Sequence, residues 1–96
     1  MNDDQIDHVF KAMADPTRRR IMASLMDRPD QSLFEICAGL HATTGRAMSR
    51  QTVSQHLDML DRASLLVTRW QGRTKLHSLD PEPLRAAARE TLSPWL

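Results

Sequence analysis

The stretch Ser49-Arg50-Gln51-Thr52-Val53-Ser54-Gln55-His56-Leu57 constrains this chain more than any other. Val53, Leu57 and Leu60 stand four and three residues apart, so on a 3.6-residue helix they form one stripe that has to be buried. At about 100° per residue, Gln51, Gln55, Asp58 and Arg62 point the opposite way, flanked by Thr52 and Ser54. Ser49 suits the N-cap, where its hydroxyl accepts from a free amide of the first turn, and the open amides at that end favour a phosphate. Glutamine reads adenine with two hydrogen bonds, arginine reads guanine, and serine or threonine suits bases or phosphates. A helix fixed to a core on one side and carrying such side chains on the other fits a DNA groove. The plainer alternative is a solvated helix face, and the rest of the chain has to separate the two.

With 96 residues, one domain over 1–96 is expected, burying only about 60 to 65% of its unfolded surface. So modest a core makes help from a second subunit reasonable. Thirteen Lys and Arg against 12 Asp and Glu leave a formal charge of +1, which does not announce nucleic-acid binding. The distribution says more. Asp3, Asp4 and Asp7 make the start acidic, whereas residues 46 to 75 carry Arg46, Arg50, Arg62, Arg69, Arg73 and Lys75 against Asp58 and Asp61, a net +4. Cys37 is the single cysteine, which excludes an intrachain disulfide framework and a self-contained CxxC motif. No apolar run approaches the roughly 18 residues that span a bilayer, and the start lacks the apolar core of a signal peptide. The expected location is the cytoplasm, with no membrane partner.

Periodicity supplies the other elements. Ile6, Val9, Phe10 and Met13 predict an amphipathic first helix over 4–14. Asp15-Pro16 reads as an N-cap followed by proline at the first helical position, opening a second helix from Pro16 to Met26 that buries Ile21, Leu25 and Met22. Arg28-Pro29-Asp30 ends it. Ser32 caps a short third helix, Leu33 to Leu40, with Leu33, Ile36, Cys37 and Leu40 on one face. Polar residues 41 to 48, with Gly45 among them, read as a loop before the fourth helix, which ends near Arg62 or Ala63. Leu66 to Trp70 and Thr74 to Leu79 are β-prone, and Gly72-Arg73 between them suits a two-residue turn with glycine first. A last helix, Glu82 to Thr91, buries Leu84 and Ala88, together with Leu92 just beyond it, and exposes Arg85 and Arg89.

Four helices, a hairpin with a basic tip and a terminal helix make a mostly α winged helix-turn-helix. The third helix supports the fourth, the fourth enters the major groove, and the hairpin reaches phosphates or the minor groove. The strings Phe10-Lys11-Ala12-Met13-Ala14-Asp15-Pro16-Thr17-Arg18-Arg19-Arg20-Ile21, Ser49 to Leu57, Leu65-Leu66-Val67 and Gly72-Arg73 come in the order of a known family. By them the chain resembles the ArsR/SmtB family of bacterial winged-helix transcriptional repressors. The resemblance implies a homodimer assembled through the first and last helices, here 4–14 and 82–96, on a pseudo-palindromic operator of double-stranded DNA. Two features depart from the family. The 41–48 connection is longer than the tight turn of the motif. The sensing ligands of metal-responsive relatives, a cysteine pair in the supporting helix or His and carboxylates in the last helix, are incomplete, so no metal and no cofactor is expected, and no motif names a small-molecule or metal inducer.

Within that frame Gln51 and Gln55 are the base-reading candidates, and Ser49, Arg50 and Ser54 position phosphates, with Thr52 beside them. Arg73 at the hairpin tip, Arg69 on its first strand and Arg46 in the long connection are further DNA contacts. His56 stands between touching a phosphate and packing on the core. Arg18 belongs to the run Arg18-Arg19-Arg20, which either meets phosphate or forms salt bridges to Asp15 and the acidic first helix. Trp70 is expected to anchor the hairpin, and His77 to be an exposed strand histidine. Cys37 and His41 stand four apart and can face one metal ion or form a nucleophile and base, but zinc wants about four ligands and no third group orients a base. Cys37 is therefore read as a small buried hydrophobe, and no enzymatic activity is expected. A winged-helix module that binds a protein instead of DNA is the alternative function.

Overall fold

Four of the five α-helices begin on a short polar side chain that accepts a first-turn amide, each such cap contributing about 1 kcal/mol. In this computed structural model, which describes residues 1–96, Asn2 caps α1 (Asp3–Met13), Asp15 caps α2 (Pro16–Asp27), Ser32 caps α3 (Leu33–Thr44) and Ser49 caps α4 (Arg50–Arg62). Gln5 and Glu35 return the bond to the cap amide, completing capping boxes at α1 and α3. Strands β1 (Leu66–Gln71) and β2 (Thr74–Leu79) follow, then α5 (Glu82–Thr91) and a short 3₁₀ turn over Ser93–Trp95.

The third helix is one turn longer than the sequence suggests. The first polar residues read as loop are helical, and the Thr43 and Thr44 hydroxyls are accommodated within the helix by donating to the carbonyls of Gly39 and Leu40, at 2.9 and 2.8 Å. Gly45, at φ +71°, turns the chain out of the helix, and its missing Cβ makes that conformation cheap. The connection to α4 thus shrinks from the expected 41–48 to Gly45–Ser49, and the departure from the helix-turn-helix pattern largely disappears. Met48, half-buried within the link, packs on the core.

That core is one cluster. Val9 and Ala12 of α1, Ile21, Met22 and Leu25 of α2, Ile36 and Leu40 of α3, and Val53, Leu57 and Leu60 of α4 meet Ala63, Leu65 and Ala87. The predicted stripes of α2 and α4 are buried as expected. The outer two helices differ in detail. Phe10 remains 37% exposed while Ala12 is buried, and Ala87 is buried in α5 while Leu84 and Ala88 are half-buried and Leu92 is 40% exposed. Helices α1 and α5 contact each other at the periphery, and each buries an alanine, Ala12 and Ala87, while the larger Phe10 and Leu92 stay partly outside.

The hairpin pairs Leu66 with Leu79 through to Gln71 with Thr74. Gly72 takes φ +61° and Arg73 keeps an ordinary negative φ, as a turn with glycine first requires. The other edge of β2 is also occupied. The amides of Gln31 and His77 donate to each other's carbonyls at 3.0 and 2.8 Å, a single bridge between the α2–α3 link and the wing. His77 is therefore buried, not exposed as the strand pattern suggested, and its Nδ1 donates to the Gln31 carbonyl at 2.8 Å. A contact 46 residues away in sequence decides the environment of that side chain.

Candidate nucleic-acid interface

Helix α4 is held inward by Val53, Leu57 and Leu60, all buried, and this fixes what its other face presents. Arg50, Gln51 and Gln55 are exposed, with Thr52, Ser54 and His56 at the margin. No side-chain hydrogen bond within the chain uses Arg50, Gln51, Ser54 or Gln55. The cap itself is more occupied: Ser49 Oγ accepts from the Thr52 amide at 3.1 Å and donates to Thr52 Oγ1 at 2.9 Å. These two hydroxyls lock the start of α4, which leaves phosphate contact at Ser49 to backbone amides and remaining lone pairs.

The wing stands beside this face. A cleft of about 500 Å³ lies between Arg50, Ser54, Asp58 and Asp61 of α4, Phe34 at the start of α3, and Thr68, Arg73 and Lys75 of the hairpin. Three sequence-predicted DNA contacts, Arg50, Ser54 and Arg73, are thus brought to one cleft. Arg50, Arg73 and Lys75 have no carboxylate partner in the chain, so their charge is available to an anion. Arg46 is exposed in the link immediately before α4.

The remaining predicted contacts have other employment. Arg18 donates Nε to the Ala12 carbonyl at 3.0 Å, Nη2 to the Lys11 carbonyl at 2.8 Å, and Nη1 to His56 Nδ1 at 3.2 Å. Arg19 adds a bond to the Met13 carbonyl at 2.6 Å. Cations at a helix C-terminus satisfy its free carbonyls and suit its dipole, so these arginines cap α1; the expected ion pairs to Asp15 or the acidic residues of α1 do not form. The same contact places His56 against Arg18 at the margin of α4. Arg69 gives Nε and Nη2 to the two carboxylate oxygens of Asp30 at 3.0 and 3.1 Å, and so ties the wing down instead of standing free. Trp70 is 67% exposed. It does not anchor the hairpin, because its pair with Lys75 lies one step from the turn, beyond the reach of the core.

Carboxylates near these elements are held ionised. At Asp30 the Arg69 hydrogen bond, with smaller help from that charge and from Ser78, keeps the carboxyl below its ordinary range, and Arg69 is raised in return. At Asp15 burial works the other way, but the Arg18 amide, the neighbouring His56 and the Thr17 amide outweigh it and lower the carboxyl. Cys37 is half-buried and His41 exposed on the same helix, and no cluster of three or more His, Cys, Asp or Glu side chains forms.

A helix supported by α3, with unpaired polar side chains beside a basic hairpin, is the arrangement of a DNA reader. The helix-turn-helix domain family matches residues 13–69. The uncharacterized HTH-type transcriptional regulator YuzN of Bacillus subtilis is 32% identical over 79 residues, 82% of this chain and 86% of that protein. The HTH-type transcriptional regulator Rv2034 of Mycobacterium tuberculosis is 36% identical over 80 residues, 83% and 68% of the two chains. The solved structure of the ArsR-like transcriptional regulator from Rhodococcus sp. RHA1 is 29% identical and superposes with a TM-score of 0.73 over 90% of this chain and 72% of that one. The chain belongs to the ArsR family of helix-turn-helix transcriptional regulators. Its relatives are regulators and not enzymes, and no helix of this ArsR-family regulator is long and apolar enough to cross a membrane.

Sequence reasoning missed Lys75 as a cleft residue, although it lay within the basic stretch, and it missed Phe34, 67% exposed at the cleft. It also missed Asp30. The only local signal there was an aspartate following Arg28-Pro29, and its partner Arg69 is 39 residues away.

Proposed function

We propose that this ArsR-family regulator is a cytoplasmic homodimeric repressor that binds a pseudo-palindromic operator in double-stranded DNA. The observation that carries the proposal is that unpaired Arg50 and Ser54 of α4 share one cleft with the unpaired Arg73 and Lys75 of the wing, while Gln51 and Gln55 stand exposed and unpaired on the same helix. Gln51 and Gln55 read base edges in the major groove. Arg50, Ser54, Thr52 and Arg46 position the helix on phosphates, the Ser49 end of α4 offers amides to the backbone, and Arg73 contacts the DNA flank. His56, held by Arg18, orients this face from its margin.

Dimerisation is supported by the periphery. Phe10 (37% exposed), Leu92 (40%), Trp95 (81%) and Leu96 (94%) leave apolar surface on and beyond α1 and α5, the elements expected to pair within 4–14 and 82–96. A two-fold pair places two α4 helices about 34 to 36 Å apart, one DNA turn. A protein seated across a promoter excludes polymerase sterically, which is the basis for assigning repression.

Binding to DNA from the protein's own upstream region, followed by fluorescence anisotropy across a salt series, tests the proposal. Gln51→Ala/Gln55→Ala should lose discrimination between operator and unrelated DNA, by about 1–3 kcal/mol for each two-bond contact removed. Arg73→Ala should weaken both DNAs alike and reduce the salt slope by about one. If neither variant differed from the parent, α4 and the wing would not be the recognition elements. A partner held by an apolar protein interface would instead show little response to salt.

A further inference from the structure

Asp30 is an acidic residue on the wing side of a protein that has to approach phosphates. Charge alone says that removing it should strengthen DNA binding. Its geometry says otherwise. Gln31, the next residue, pairs with His77 on the outer edge of β2, while Arg69 lies on β1, along the opposite edge of β2. The Asp30–Arg69 contact therefore spans the full width of the hairpin, with two bonds of 3.0 and 3.1 Å. Ser78 of β2 joins it, its hydroxyl accepting from the Asp30 amide at 2.9 Å and donating to Oδ1 at 3.3 Å.

A two-stranded hairpin by itself is marginally stable in water. Most of this one is exposed: β1 beyond Leu66 buries no residue, and β2 is exposed at Thr74 and Lys75. What fixes its direction is contact with the α2–α3 link, at Gln31 and Asp30. Arg69 sits only three residues before Gly72, so the Asp30 bond grips β1 well out along the wing, farther toward the tip than the Gln31–His77 bridge does on the register. Asp30 adopts φ +60°, a conformation that an aspartate tolerates better than most residues.

We propose that Asp30 is a positioning residue for DNA binding: by holding Arg69 it aims the wing, so that this acidic side chain raises affinity for DNA. The inference rests on the DNA-binding function proposed above. Without the contact the wing samples many directions, and Arg73 and Lys75 have to be ordered at the moment of binding, which weakens the complex.

The decisive variant is Asp30→Gly, which suits a positive φ and deletes the carboxylate without adding strain. Operator DNA is titrated at several salt concentrations. The expected result is a loss of affinity of about three- to fivefold, the upper range for a well-formed surface ion pair, and a shallower salt slope as a wing phosphate contact is lost. In a double-mutant cycle Asp30→Gly and Arg73→Ala should be strongly non-additive, whereas Asp30→Gly and Gln51→Ala/Gln55→Ala should add. Hydrogen exchange of the β1 and β2 amides should accelerate in Asp30→Gly while the amides of α2 and α4 keep their protection, which separates wing mobility from general unfolding. Equal or tighter binding by Asp30→Gly would overturn the proposal, as would additivity with Arg73→Ala. Failure of the parent protein to bind DNA at all would instead overturn the underlying function.

Discussion

Individual side chains in this regulator carry two sorts of task, and their partners tell them apart. Asp15, Arg18 and Arg19 are consumed at the α1–α2 corner: Asp15 caps α2 through the Thr17 and Arg18 amides at 2.8 and 3.1 Å, and the two arginines close α1. Asp15→Ala should cost about 1 kcal/mol in urea unfolding. Asp15 also predicts a pH effect. Its folded-state carboxyl lies below its ordinary value, so its contribution is fully present above the unfolded pKa, about 4, and is lost as pH falls through the folded value. Asp15→Asn keeps a capping oxygen without the titration, so the drop in thermal midpoint from pH 6 to pH 3 should be smaller in this variant than in the parent. Gln51, Gln55 and Arg73 are the other sort, exposed and without partners inside the chain.

At the scale of elements, the end of α3 and the burial of α4 set how the recognition face is held. Gly45 has open space where a Cβ would stand, so Gly45→Ala creates no clash and isolates the backbone cost of φ +71°. It should destabilise by about 1–2 kcal/mol, measured by chemical unfolding. Leu60 is fully buried at the centre of the cluster. Leu60→Ala should cost about 2–5 kcal/mol, a large share of the stability typical of a small domain. The wing contrasts with both helices, because β1 beyond Leu66 and β2 at Thr74 and Lys75 are exposed and its direction depends on Gln31 and Asp30.

The whole molecule is 41 × 30 × 22 Å, and besides Phe34 at the cleft and Trp70 on the wing it leaves apolar side chains exposed on and beyond α1 and α5. Phe10, Leu92, Trp95 and Leu96 are the candidates for a subunit interface. Sedimentation of the parent should give twice 11.0 kDa, and Phe10→Asp/Trp95→Asp should sediment at the single-chain mass. The same variant should bind a half-site almost as the parent does yet lose affinity for a full operator, because the two half-sites are then no longer engaged together. A thermal midpoint that rises with protein concentration for the parent, and not for the variant, would accompany it.

Local chemistry in the sequence determined the helices, their caps, the Gly72-Arg73 turn and the face that α4 shows to solvent. Each of these depends on neighbours within four residues: periodic burial, an N-cap hydroxyl, a glycine able to take positive φ. Tertiary structure decided the rest, for two physical reasons. Packing of helices on one another buried Ala12 and Ala87 and left the larger Phe10 and Leu92 partly outside. Partners 38 to 46 residues apart, Arg18 with His56, Asp30 with Arg69 and Gln31 with His77, separated the charges and rings that hold the fold from those left unpaired at the surface. No periodicity records such pairings, because they exist only once the helices have packed.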